Sequence, residues 1–250
     1  MSPQFSGFPP EARKFLHELK SHNQREWFQA RKEVYDNKIK APMSELVLVL
    51  GEALREIAPE LDTDPKKAMY RIYRDVRFSA DKSPYKTHVA AKFGPRGVGK
   101  FMGGGTYFHF SDDELLVGGG IYAPGPPELL AVRQHVAENA DEYRRITSDK
   151  KFRRAFKQVE GERLKRMPKG FPADHPAADL LLYKQFLVFT YLPVEIVETP
   201  RFAKEVLKNF ELMLPFLRFL NRPLLSRRMP GGADRTLAGP RKVRSRQRPV

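Results

Sequence analysis

THVAAKFGPRGVGKFMGGGTYFHFSDDELLVGGGIY, residues 87–122, contains three short runs, 87–93, 106–110 and 115–122, that are rich in apolar, β-branched and aromatic residues and bounded by Gly, Pro or Asp. That composition and those lengths read as strands. Ser111-Asp112-Asp113-Glu114, between Phe110 and Leu115, reads as a hairpin connection. Gly118-Gly119-Gly120 leaves one face of the last strand open to close approach, and a neighbouring helix is the simplest occupant. A fourth run, 69–79, precedes the stretch, and a fifth, 186–192, lies far downstream. The centre of the chain is therefore expected to be a mainly antiparallel sheet.

Helical patterns flank it. Ala12, Phe15, Leu16 and Leu19 recur at helical spacing over about 10–20, behind Pro10 in the first turn. Asn23 followed by Glu26 resembles a capping box for a second helix carrying Trp27, Ala30, Val34 and Tyr35, and Pro42 should interrupt or kink it. Leu46, Val49, Leu50, Ala53, Leu54 and Ile57 give a third helix over about 43–57. Beyond the sheet, helices are expected from Pro126 to about 145, over 150–158, and from Pro200 onward, the last kinked or shortened by Pro215. The fold class is then α+β: N-terminal helices, a central sheet, covering helices and a disordered basic C-terminal tail, with one domain over 1–225 and the tail over 226–250.

Composition bounds the function. With 41% hydrophobic residues, eighteen Phe and nine Tyr, 250 residues can bury a substantial core. No apolar run approaches the roughly 20 residues of a membrane helix, and MSPQFSGFPPEARKF lacks a basic start followed by an apolar stretch, so no membrane association and a cytoplasmic location are expected. The absence of cysteine excludes disulfides, thiolate metal sites and cysteine nucleophiles. The formal charge is +15, and residues 226–250 carry eight Arg or Lys against Asp234 alone, leaving +8 to the rest. Both parts are basic enough to attract nucleic acid or another polyanion. Nothing in the sequence sets an oligomeric state.

Immediately upstream of the quoted stretch, YRIYRDVRFSADKSPYKTH, residues 70–88, crowds Arg71, Arg74, Arg77, Lys82 and Lys86 around Asp75, Asp81, Tyr73 and Tyr85. As a strand over 70–79 it would place Tyr70, Ile72, Val76 and Phe78 on one face and Arg71, Tyr73, Asp75 and Arg77 on the other. Guanidinium forks pair bidentately with oxyanions, so the polar face suits a phosphate or carboxylate. The expected anion contacts are Arg71, Arg74, Arg77, Lys82, Tyr85 and Lys86, with Asp75 and Asp81 orienting them; cations around Asp75 would lower its pKa and weaken it as a base. The bland alternative is a salt-bridge network that locks the segment in place in an interaction protein. A hydrolase or transferase acting on a phosphorylated substrate, with Tyr85 or His88 as acid-base group, is the enzyme alternative.

These residues carry a family resemblance. The chain resembles the mostly bacterial family known as domain of unknown function 2461, whose hallmark is Arg-x-x-Arg-Asp-x-Arg-Phe, then an acidic or amide residue, Lys and Tyr, here Arg71, Arg74, Asp75, Arg77, Phe78, Asp81, Lys82 and Tyr85. FLHELKSHNQREWFQARKEVY, residues 15–35, looks like the family's opening, although His22-Asn23 stands where a pair of Asn is common. The resemblance spans about residues 5–222 and implies one fold unit, without a reaction, substrate or cofactor.

Other motifs carry less. Residues 94–100 match the literal G-x-x-x-x-G-K of a nucleotide-binding loop, but Phe101 stands at the magnesium-contacting position and the following glycines start a helix poorly. The six histidines form no zinc pattern, so no metal and no cofactor are expected. His88 and His109 would reach the cationic segment only if their strands are neighbours. Lys150, Lys151, Arg153, Arg154 and Lys157 form a second cationic surface that reads most simply as a solvated helix face.

Overall fold

The computed structural model describes residues 5–77, 79–98 and 102–226. Phe78, the Gly99-Lys100-Phe101 end of the loop-like motif and nearly all of the expected tail lie outside the described residues.

Four strands form one antiparallel sheet in the order β1 (Val89–Phe93), β2 (Gly105–Phe110), β3 (Leu115–Ile121), β4 (Phe186–Leu192). Register places Ala91 opposite Phe108, Phe108 opposite Val117, and Val117 opposite Thr190. Strand alternation then sorts the side chains into two faces. One face carries Val89, Ala91, Phe93, Phe108, Phe110, Leu115, Val117, Phe186 and Val188, all buried. The other carries Lys92, Tyr107, His109, Leu116, Phe189 and Tyr191 and grows more exposed toward β4.

The apolar face is covered by the last helix, Arg201–Ser226, whose Phe202 and Phe210 meet Phe108 and Phe110 at centroid separations of 5.8–6.5 Å. The glycine triplet makes this approach possible: a Cβ on Gly119 would stand 2.5 Å from the Met213 sulfur. The open face expected at the triplet is thus taken, at Gly119, by a helix. That helix runs on through Pro215 and Pro223 to Ser226, so Pro215 does not shorten it. Its buried stripe from Phe202 to Leu224 outweighs the hydrogen bonds lost at the prolines.

The N-terminal helices are α1 (Pro10–Ser21), α2 (Arg25–Ala30), α3 (Lys32–Tyr35) and α4 (Ala41–Ile57), with a π-helical turn at Asp36–Lys40. Pro42 is the second residue of α4 and follows the π-helical turn directly, with αR backbone at Lys40 and Ala41, so the helical path continues through it rather than being interrupted. A short α5 (Pro65–Ala68) follows, capped by the Asp64 carboxylate on the Lys66 N–H. Between β3 and β4 lie α6 (Pro126–Glu138), α7 (Ala140–Ser148), α8 (Lys150–Phe156) and α9 (Ala178–Leu181), and the last helix is α10. No helix among the described residues is long and apolar enough to cross a membrane.

Among the described residues of 69–79 the expected strand does not form. Only isolated bridges join Met69 to Ala91 and Tyr73 to Tyr85, so the segment folds back on itself as an irregular hairpin. The local side chains take backbone groups that a ladder would have used: Lys82 Nζ donates to the Val76 carbonyl, Lys86 Nζ to the Arg71 carbonyl, and Asp75 and Asp81 accept from the N–H of Arg77 and Ser83. Alternation survives in burial alone, with Ile72 buried while Arg71, Tyr73, Asp75 and Arg77 are exposed.

Candidate anion site and histidine cleft

The cations of residues 70–88 separate into two groups. Arg77 forks onto Asp75, Nε to Oδ1 at 2.9 Å and Nη2 to Oδ2 at 2.7 Å, on an exposed bend. This fork, aided by the Arg77 N–H, holds the Asp75 carboxyl down at about 2. Arg74 pairs with Asp81, whose carboxyl is pulled well below its ordinary value by hydrogen bonding from Ser83 and then by Arg74. Asp75 and Asp81 thus each hold one guanidinium. Lys82 is spent on the Val76 carbonyl at 3.0 Å.

Arg71 and Lys86 form the second group. Lys86 Nζ lies 5.2 Å from the centre of the Tyr70 ring and 3.0 Å from the Arg71 carbonyl, and no carboxylate among the described residues forms an ion pair with it. Burial and then the nearby Arg71 charge push its pKa down. The Arg71 residue is exposed, and its charge reaches Asp75 only from outside the Arg77 fork. Two neighbouring cations without a bound carboxylate are electrostatically incomplete in a way that Arg74 and Arg77 are not.

Tyr85 is placed differently from the sequence expectation of a ligand contact. It is 2% exposed, with its ring stacked on Phe28 at 4.0 Å and tilted against Tyr73 at 5.4 Å. Its aromatic body is what the core uses. The chain beyond it emerges at Lys86, Thr87 and His88 and enters β1.

At that point a cleft of about 410 Å³ opens beside the β2–β3 hairpin, lined by His88, His109, Lys20, Asp113, Glu114 and Tyr191 among others. β2 and β3 bring His109 opposite Leu116, and β4 brings Tyr191 opposite Leu116 in turn, so one row of the outer face ends in the cleft. The His109 ring is fixed at both nitrogens, Nε2 at 2.7 Å from Glu114 and Nδ1 at 3.0 Å from the Tyr107 hydroxyl. Both bonds are met when Nε2–H donates to the carboxylate and Nδ1 accepts from the hydroxyl. His88 faces it at a centroid distance of 5.0 Å, and no hydrogen bond reaches the His88 ring from any described residue. Burial, then His109 and Lys86, hold its pKa down at about 4, so this imidazole is neutral near pH 7.

Helix α1 closes the far rim. Lys20 bridges Asp112 at 2.6 Å and Asp113 at 3.0 Å, and Arg13 Nε donates to the Asp112 carbonyl at 2.9 Å. Lys20 and then Ser111 hold the Asp113 carboxyl at about 2. The His88 end of the cleft thus adjoins Lys86, whose charge reaches the ring and which itself feels Arg71; Glu114 also acts on this ring through its place beside His109, and Asp113 is paired with Lys20. Among the described residues no group of three His, Asp or Glu is placed to hold a metal ion. The motif-like loop also lacks its context, because β2 rather than a helix follows it.

Of the cleft residues, His88 and His109 are candidates from the sequence, whereas Glu114, Lys20 and Tyr191 are not. One signal for an outer polar face was available on β2: Thr106, Phe108 and Phe110 share the buried face, so Tyr107 and His109 must share the other. Tyr191 needs the β3–β4 register, which no local pattern supplies.

The profile of a family described as conserved hypothetical protein (DUF2461) matches residues 11–219, and the chain belongs to that family. No curated protein matches the chain.

Proposed function

We propose that this member of the family recognises a phosphate-bearing or otherwise anionic small ligand, with Arg71 and Lys86 as the charged contacts and the His88–His109 cleft receiving the rest of the molecule. The observation that carries this reading is the juxtaposition of Arg71 and Lys86 without a carboxylate bound to Lys86, beside a cleft of ligand size. An oxyanion there would supply the missing countercharge through charge-assisted hydrogen bonds. Arg74 and Arg77, already held by Asp81 and Asp75, serve the shape of the hairpin.

Calorimetric titration of the full chain with inorganic phosphate at constant ionic strength tests it. Arg71→Gln and Lys86→Gln should each weaken phosphate about tenfold, the loss of one charge-assisted contact. Equal weakening by Arg77→Ala, or no phosphate binding by the parent chain, would refute the assignment.

A second reading rests on α8, where Lys150, Lys151, Arg153 and Arg154 are exposed while Phe152 and Phe156 are buried. This face suits a polyanion such as nucleic acid. Retention of single-stranded DNA that falls steeply with salt, and falls again on changing Lys151 and Arg154 to Glu, would support it; retention unchanged by those substitutions would remove it.

A further inference from the structure

We infer that the ligand of the cleft carries a planar heterocyclic ring between its phosphate and a hydroxyl- or amine-bearing end, as a nucleoside monophosphate does. This rests on the anion reading above and adds the ligand class.

The cleft is lined by rings whose polar edges are used unequally. His109 is locked between Tyr107 and Glu114, whereas the His88 ring, 5.0 Å away, has no hydrogen bond from a described residue. A heterocycle offers His88 both a π-face and edge donors or acceptors. Tyr191, on the outer face of the edge strand β4, is 58% exposed where it lines the cleft, with its ring 5.8 Å from Phe189. An aromatic side chain left open at a polar cleft is a stacking surface for a base.

Charge orients the ligand. Lys86, next along the chain from the cleft residues Thr87 and His88, and the neighbouring Arg71 attract the phosphate, while the Glu114 carboxylate beside His109 can accept from hydroxyls or an exocyclic amine; Asp113 is already neutralised by Lys20. The volume of about 410 Å³ falls within the range of small-molecule sites, roughly 300–1,000 Å³, and suits a mononucleotide better than a polymer.

The test is calorimetric titration of the full chain with AMP and with ribose 5-phosphate, which share a phosphate and differ in the ring. AMP should bind about tenfold more tightly, the effect of stacking one base. Tyr191→Ala, whose melting midpoint is checked first, should bring AMP down to the level of ribose 5-phosphate. Equal affinity for the two ligands in the parent chain would overturn the ring inference and leave the anion reading intact. Binding of neither would overturn both. An AMP preference that survives Tyr191→Ala, or retention of single-stranded DNA without any AMP preference, would also overturn the inference.

Discussion

Asn23 and Tyr85 are joined by two hydrogen bonds of 3.0 Å, the Asn23 side chain donating to the Tyr85 carbonyl and accepting from the Tyr85 N–H. One amide side chain thereby completes the backbone pairing of a residue whose neighbours, Arg74 to Pro84 and Lys86 to Ile72, bond across the irregular hairpin. The turn between α1 and α2 is thus tied to the segment that presents Arg71 and Lys86. Asn23→Ala leaves both Tyr85 backbone groups without that partner and should destabilise the chain by about 2 kcal/mol in urea unfolding. A change within error would show that the tie is dispensable.

The exposed pairs should matter far less. The Arg77 side chain is 76% exposed, and an ion pair open to solvent gains little over its hydrated parts. Arg77→Ala is expected to move the melting midpoint by less than roughly 3 °C and to become neutral at high salt. A larger fall would make the Arg77–Asp75 fork a structural lock.

His88 makes the fold sensitive to mild acid. Its pKa of about 4 lies below the ordinary histidine value of 6.5, so between these limits the unfolded chain binds the proton more readily. Stability is fully present above about pH 6.5 and is lost as pH falls toward 4, by at most about 3 kcal/mol from this group. His135, lowered by burial and then by Arg222, acts in the same direction. His88→Gln should flatten the fall in melting midpoint between about pH 7 and 4.5 without abolishing it; an unchanged slope would contradict the burial argument.

Two glycines with positive φ should respond differently to alanine. At Gly97, φ is +70° and a Cβ would meet no described atom within 4 Å, so the left-handed backbone opposes the change, by about 1 kcal/mol. At Gly120, φ is +124° and a Cβ would stand 2.0 Å from the Phe186 carbonyl oxygen, pushing β3 from β4. Gly120→Ala should cost roughly 3–5 kcal/mol by urea unfolding. Similar losses at both sites would sink this distinction.

The sheet was legible because its strands are short apolar, β-branched and aromatic runs bounded by Gly, Pro or Asp, with a hairpin turn at 111–114; β2 also alternates Phe108 and Phe110 against Tyr107 and His109, whereas β1 and β3 are buried almost throughout. The described residues of 70–79 show the same alternation as β2 yet form no ladder, because Lys82, Lys86, Asp75 and Asp81 satisfy the local backbone from their side chains. Asn23 reads as a helix cap, but its side chain turns to Tyr85, and Gln24 stands at the cap position instead. Both departures arise from side-chain bonds to backbone groups, which the spacing of apolar residues along the chain does not encode. The same holds for the cleft. His88 and His109 were candidates by type, whereas Lys20 and Tyr191 join them only through the docking of α1 and the register of β4.

The central claim, that Arg71 and Lys86 hold an oxyanion, is tested most directly by a high-resolution crystal structure of the full chain grown with phosphate. Phosphate oxygens should lie about 2.7–3.2 Å from both the Arg71 guanidinium and Lys86 Nζ. Density for phosphate only elsewhere, with those two side chains left facing solvent, would contradict the account.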